Sequence, residues 1–192
     1  MKVAVAMSGG VDSSTAAHLL KSQGHEVVGL SMQMYNNLSA ADSTYGGCCT
    51  IDDLADARRV AWKLEIPHFT LNLESNFHEK VIEPFVQGYL SGVTPSPCVL
   101  CNTHVKFDLF HQKARAIGAE KIATGHYARI TRSNGHYELR KAKDLSKDQT
   151  YFLFELSQEQ LREALFPLGD LTKPEVREIA EDAGLTVARK KE

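Results

Sequence analysis

Val3-Ala4-Val5-Ala6-Met7-Ser8-Gly9-Gly10-Val11-Asp12-Ser13-Ser14 is the stretch that decides how this chain folds. Val3 to Met7 is an apolar run too short for a helix, the pattern of a parallel strand buried on both faces. From Ser13 to Gln23 the residues Ala16, Ala17, Leu19 and Leu20 recur at helical spacing, and Gly24 stands where a helix stops. Two glycines between a strand and a helix let the backbone turn tightly and approach an anion. The helix that follows offers free N–H groups and the positive end of its dipole. Ser8 and Ser13 add hydroxyl donors. Asp12 is the odd residue, because a carboxylate repels phosphate unless a cation intervenes. Mg²⁺ bridging Asp12 and a pyrophosphate group is the simplest account. The loop lacks the Gly-Lys-Ser/Thr ending of a Walker A motif and the glycine spacing of a dinucleotide site. For two glycines alone, an ordinary capped turn is the plain alternative.

Outward from the loop, strands and helices alternate. Glu26 to Met32 reads as a second strand, and Gln33 to Cys49 as a long loop, a candidate binding lid. Thr50 with Asp53 resembles a helix start, and Leu54, Ala57, Ala61 and Leu64 share one face of that helix. His68 to Leu73 is a third strand. Phe77 to Leu90 is helical with Pro84 as its weak point, and Gly92 to Asn102 is a second long loop broken by Pro95 and Pro97. A helix over Phe107 to Ile117 and a short strand over Lys121 to Thr124 follow. Ala128 to Thr131 and His136 to Arg140 flank Ser133-Asn134-Gly135, a hairpin signal. Thr172-Lys173-Pro174-Glu175 starts a helix that stops at Gly184, and Val187 begins a last strand. The order implies an α/β fold: a parallel sheet with helices on both faces and a small α+β extension. The expected division is a catalytic domain over 1–132 and a hairpin and helical extension over 133–192. Ligands of such sheets sit at the carboxyl ends of the strands, where the glycine loop, Met32 and the Gly125-His126 turn fall.

A formal net charge of -2 argues against a strongly basic nucleic-acid binder but leaves room for a basic patch on one face. No apolar stretch is long enough to span a bilayer, so no membrane partner is expected. Without a targeting signal the cytoplasm is the expected compartment. The four cysteines Cys48, Cys49, Cys98 and Cys101 then read as thiols, metal ligands or redox groups before structural disulfides.

Thr94-Pro95-Ser96-Pro97-Cys98-Val99-Leu100-Cys101-Asn102 carries the second chemical signal. Its prolines suggest an extended, exposed backbone, and cysteines at C-x-x-C spacing reach each other or one metal. Zinc and iron–sulfur sites want more ligands than this pair supplies. Sulfur chemistry remains: a thiolate that attacks or carries a persulfide, helped by a nearby cation, with His104 and Lys106 close in sequence. An exposed pair without a role is the alternative. His126, after a strand at the ligand-binding edge, is a candidate against the plainer reading of a satisfied structural histidine. Lys147-Asp148-Gln149 reads by composition as a solvated loop.

The string Ser8-Gly9-Gly10-Val11-Asp12-Ser13-Ser14 resembles the pyrophosphate loop of the ATP-pyrophosphatases. Six ordered segments resemble the tRNA-specific 2-thiouridylases over essentially the whole chain. They are 6–14, Gly29-Leu30-Ser31-Met32, 94–102, Lys106-Phe107, Ala123-Thr124-Gly125-His126-Tyr127-Ala128-Arg129 and Lys147-Asp148-Gln149-Thr150-Tyr151-Phe152-Leu153. The resemblance implies the ATP-pyrophosphatase fold, of the HUP or adenine nucleotide alpha hydrolase-like kind. It implies ATP with Mg²⁺ at Ala6, Met7, Ser8, Gly9, Gly10, Val11, Asp12 and Ser13, with Met32 and Gly125 near the nucleotide. The O2 of a tRNA wobble uridine would be adenylated, and sulfur from a cysteine persulfide, brought by a sulfur-donor protein, would displace AMP. Cys101 and Asp12 match catalytic positions. Ser96, Pro97 and Cys98 match the segment at the target base, and His126, Lys147, Asp148 and Gln149 match tRNA-contacting positions. An unstacked base read in a pocket is what such chemistry requires.

Two departures accompany the resemblance. Some relatives carry Asp where this chain has Cys98, and some with cysteine there hold a [4Fe–4S] cluster, which Cys98 and Cys101 would join. The family's second catalytic cysteine follows a segment like Ala188-Arg189-Lys190-Lys191-Glu192, where this sequence stops. The expectation is either a catalytic portion that lacks the family's C-terminal domains or a short homologue with altered chemistry, in which Cys98 and Cys101 act as the sulfur-handling pair. Its alternatives are an ATP-pyrophosphatase that adenylates a different acceptor, as amide-forming ligases do, and a nucleotide-binding module without complete thiolation activity.

Overall fold

A computed structural model describes residues 1–35 and 50–190. Its centre is a five-stranded, all-parallel sheet in the order β3-β2-β1-β4-β7. The strands are β1 (Lys2–Ala6), β2 (Glu26–Gln33), β3 (His68–Asn72), β4 (Lys121–Ala123) and β7 (Ala164–Leu165). β5 (Ala128–Ser133) and β6 (His136–Lys141) form a separate antiparallel hairpin. Its turn residues Asn134 and Gly135 both have positive φ, as the Ser-Asn-Gly signal requires.

β1 is buried on both faces because it lies in the middle of the sheet with no polar residue after Lys2. Val3, Val5 and Met7 face one core, shared with Ala16, Ala17 and Leu20 of α1 (Val11–Ser22). That core also takes Ala57, Val60 and Ala61 of α2 (Ile51–Lys63), and Val176 and Ala180 of α8 (Lys173–Asp182). Ala4 and Ala6 face the other core, with Leu30, Phe77, Val105, Phe107 and Phe110. Successive side chains of a strand point to opposite faces, so one five-residue strand organises both layers. The α/β architecture with helices on both faces is as the sequence implied.

The chain leaves β1 for β2 and β3, then returns to the other side of β1 as β4. The strand order therefore reverses between β1 and β4, which opens a crevice beyond their carboxyl ends. The residues after the hairpin are built into this body. β7 pairs with β4 (Ile122↔Ala164), and α8 packs in the core of β1. α7 (Gln158–Glu163) precedes β7 and starts from a capping box of Ser157 with Gln160.

Several elements differ from expectation. The helix expected over Phe77 to Leu90 begins earlier, as α3 (Glu74–Phe77). It passes through a wide π turn (His78–Ile82) into α4 (Glu83–Leu90). The wide turn stands just before Pro84, which has no N–H to donate to the preceding turn. The second long loop is shorter than expected: α5 (Pro97–Leu100) continues through π turns (Cys101–Leu109) into α6 (Phe110–Ala116). Pro97 starts this helix, because at a first helical position the missing N–H costs nothing and φ is already suitable. Val187 starts no strand. Residues 186–189 form a turn, and the last strand is the two-residue β7, too short to leave a pattern. The lid expected over Gln33 to Cys49, with Cys48 and Cys49, falls largely outside the described residues.

Candidate active site

Beyond the carboxyl ends of β1, β2 and β4 lies a cleft of about 410 Å³, within the usual size of a small-molecule site. The glycine loop forms one side, with Ala6, Met7, Ser8, Asp12 and Ser13 lining it. Met32 and Gly125 line it from the neighbouring strand ends, and the cysteine helix closes it with Pro97, Cys98, Cys101 and Lys106. His126 and Gln149 complete the wall. Most of the site residues read from the sequence thus meet in one cavity. Gly9, Gly10 and Val11 lie behind the lining, Val11 in the core. Ser96, Lys147 and Asp148 do not line the cleft. Asp148 holds the turn beside it, accepting from the Ala142 N–H (2.8 Å) and the Thr150 hydroxyl (2.6 Å).

The loop geometry follows from its composition. Gly10 is the residue before α1 and gives it no side-chain cap, so the first-turn amides are left for another acceptor. The Ser13 hydroxyl accepts from the Ser8 N–H (3.1 Å) and meets the Ser8 hydroxyl (3.2 Å), which draws both donors to one point. Gly125 touches the start of α1: a Cβ there would lie 2.7 Å from the Ser13 nitrogen and 2.8 Å from the Asp12 carbonyl carbon. Any side chain would push β4's end off the loop.

Asp12 has a cation, and the chain supplies it. Lys173, at the first position of α8, donates to both Asp12 oxygens at 2.7 and 2.9 Å, and the Tyr127 hydroxyl donates to Oδ1 at 2.8 Å. The ammonium also lies 5.8 Å from the centre of the Tyr127 ring. Lys173 is buried, and a buried charge needs such a partner. The Mg²⁺ expected at Asp12 therefore meets a carboxylate already held on both oxygens. Sequence reading missed Lys173 because its neighbours Thr172, Pro174 and Glu175 announce a helix start and account for the segment on their own. Tyr127 was missed as well. Neither residue carries a local signal for its partner, 161 and 115 positions away.

At the other end, Cys101 is buried and Cys98 exposed. Among the described residues no three His, Cys, Asp or Glu side chains could together hold a metal ion. The two thiols are all that these residues offer to the expected iron–sulfur cluster. His126 meets the Thr124 hydroxyl through Nδ1 (2.7 Å) and packs against the rings of Phe107 and Phe166. Burial, seconded by the charge of Lys106, pushes its pKa well below 6.5. The imidazole is neutral at pH 7, facing a cleft whose nearby positive charge is Lys106.

The tRNA methyl transferase HUP domain model matches residues 1–192. Among curated proteins, the tRNA-specific 2-thiouridylase MnmA of Koribacter versatilis is 54% identical over 196 residues, 98% of this chain and 53% of that protein. MnmA of Clostridium perfringens is 50% identical over 191 residues, 100% of this chain and 53% of its own length. MnmA of Geotalea uraniireducens is 54% identical over 195 residues, 100% and 52%. The chain spans about half the length of the curated relatives it matches. Among solved structures, a 4-thiouridine synthetase in complex with RNA and bound ATP superposes with a TM-score of 0.59 at 17% identity, over 99% of this chain and 42% of that one. The NH3-dependent NAD synthetase of Campylobacter jejuni gives 0.58 at 18%, over 98% and 67%. At such identities these two neighbours speak to the fold, and both share it.

Proposed function

The chain belongs to the tRNA methyl transferase HUP domain family, and from that premise we propose that it carries out ATP-dependent 2-thiolation of a tRNA wobble uridine. The observation that carries the reading is a shared cavity: the phosphate loop and the two cysteines line one cleft. A ligase that activates a carboxylate for an amine needs such a loop but has no use for thiols opposite it. The names of the relatives, all tRNA-specific 2-thiouridylases, support the same substrate class.

ATP binds with its phosphates over Ser8 to Ser13 and its nucleoside toward Met32 and Gly125. Lys173 neutralises Asp12, so the loop meets phosphate without a repelling charge. The uridine O2 attacks the α-phosphorus; the bond to the bridging oxygen of the β-phosphate breaks, and pyrophosphate leaves. C2 now carries AMP, a far better leaving group than oxide. A sulfur-donor protein supplies a persulfide, which Cys98, exposed at the mouth, is suited to receive. Its terminal sulfur adds to C2 and AMP departs, leaving a C2–S–S–Cys link. The Cys101 thiolate then attacks the cysteine sulfur. The S–S bond breaks, its electron pair stays with the sulfur on C2, and a Cys98–Cys101 disulfide forms. Residues three apart on a helix have Cα atoms about 5 Å apart by helix geometry, inside the span of a disulfide. A dithiol reductant resets the pair. No step passes through a protein-held metal, for which the Asp12 carboxylate and the two described thiols make a poor donor set. The cytoplasm is the proposed setting, and no helix among the described residues is long and apolar enough to cross a membrane.

The test separates the two half-reactions in the full protein. Lys173→Gln is expected to lower tRNA-dependent AMP and pyrophosphate formation about a hundredfold, the usual cost of losing one charge-stabilising group. Cys98→Ser and Cys101→Ser are expected to release pyrophosphate normally but to form no 2-thiouridine, read by nucleoside mass spectrometry. No pyrophosphate release by the unmutated protein with any tRNA would sink the proposal. Normal thiolation by Cys98→Ser alone would move the persulfide to another cysteine.

A further inference from the structure

Lys190 lies 181 positions after Gly9, yet its ammonium rests on the back of the phosphate loop. Nζ donates to the Gly9 carbonyl at 3.2 Å, to Asp53 Oδ1 at 2.7 Å and to Asp56 Oδ2 at 2.6 Å. Both carboxylates project from the first turns of α2. The segment that carries the lysine is itself fixed. Arg177 on α8 donates to the carbonyls of Ala188 (2.7 Å) and Lys190 (3.2 Å), while Leu185, Val187 and Ala188 are buried. Burial works against the charge of Lys190, but its bonds to Asp53 and Asp56 outweigh it and hold the pKa above the ordinary lysine value.

Peptide geometry gives this contact its meaning. A trans peptide is planar, so its C=O and the N–H of the next residue point in opposite directions. Fixing the Gly9 carbonyl toward Lys190 turns the Gly10 N–H away from it. Gly9 has φ of +75°, and a peptide between two glycines meets little steric resistance to flipping. Something outside the loop must choose its orientation. α2 closes one side, since a Cβ on Gly9 would lie 2.1 Å from the Asp53 carbonyl oxygen. Lys190 supplies the donor on that same side.

We propose that Lys190 is a positioning residue for the phosphate loop, holding the Gly9–Gly10 peptide so that the Gly10 amide and the start of α1 receive the β- and γ-phosphates of ATP. The proposal rests on reading the loop as an ATP site. Its consequence is a coupling between the segment after α8 and the phosphates. By linkage, whatever the docked lysine adds to phosphate affinity, bound phosphate returns to the docking of the lysine.

The experiment compares the affinities of pyrophosphate and AMP, measured by calorimetry on the full protein and its Lys190→Met, Lys190→Arg and Asp56→Asn variants. Lys190→Met is expected to weaken pyrophosphate about tenfold, the worth of one hydrogen bond to a charged group. AMP should change less than about twofold, since the nucleoside end of the cleft is untouched. The KM for ATP should rise by the factor seen for pyrophosphate, with kcat nearly constant. Lys190→Arg should restore most of the loss. Asp56→Asn, which keeps the lysine and its bonds to Gly9 and Asp53, should show a smaller loss of the same selectivity. Equal weakening of AMP and pyrophosphate, or no weakening of either, overturns the proposal. An unmutated protein that binds neither ATP nor pyrophosphate overturns the ATP reading instead, and does so before any variant is made.

Discussion

At the level of single residues the cleft divides into groups that local sequence announces and groups that it hides. Ser8, Gly9, Gly10 and Ser13 are adjacent, and their type and order alone point to phosphate. Lys173 and Tyr127 act on Asp12 from 161 and 115 positions away, and no spacing rule reaches that far. The sequence leaves His126 open to a functional or a structural reading, and its environment gives it a measurable signature. A histidine whose folded pKa is pushed below 6.5 binds fewer protons in the folded than in the unfolded chain as pH falls. Its contribution is therefore fully present above pH 6.5 and is lost progressively below it, down to the depressed folded pKa. Chemical denaturation at a series of pH values should show stability declining from pH 6.5 downward, and His126→Gln should flatten that decline. An identical slope in the variant would assign the dependence to other groups.

Among the elements, the helical run over 97–116 is where sequence reading and structure part most clearly. Two prolines within three residues read as a loop, but Pro97 sits at the one helical position that suits it. Cys98 and Cys101 thereby stand on a rigid element, and the helix is anchored by Phe107 and Phe110, both almost fully buried in the core behind the cleft. Thr50 with Asp53 and Thr172 with Glu175 were legible because a capping box is a local device, complete within four residues. Phe110→Ala should cost about 3–5 kcal/mol by urea titration, the range for emptying a buried aromatic site. A cost below about 1 kcal/mol would mean that the helix is not held by that core. The π turns of this run left no mark in the sequence, since they depend on what the neighbouring elements demand.

For the whole molecule, the alternation of strands and helices was enough to give the class, because each crossover helix must cover one face of a parallel sheet. The reversal of strand order beside β1 was not written in any motif, yet it is what joins Ser8, Gly125 and the cysteine helix in one crevice. Since that crevice draws on residues from Ala6 to Gln149, and on Lys173 behind Asp12, phosphate binding should report on the entire body. Pyrophosphate at a hundred times its dissociation constant should stabilise the fold by about 2.7 kcal/mol. In a thermal melt this should shift one cooperative transition, not one of two. A shift confined to a separate early transition would show that the extension over 133–192 melts independently.

The Lys173–Asp12 pair also bears on the order of events at the ribosome. The lysine that neutralises the carboxylate of the phosphate loop is synthesised 161 residues after it. Until then Asp12 stands uncompensated beside any phosphate, and the buried strand beneath it lacks the helix that carries the lysine. The loop and its compensating charge therefore come together only once α8 has been made. The same separation makes the contact one of the most non-local in the molecule, and contacts of that kind slow folding.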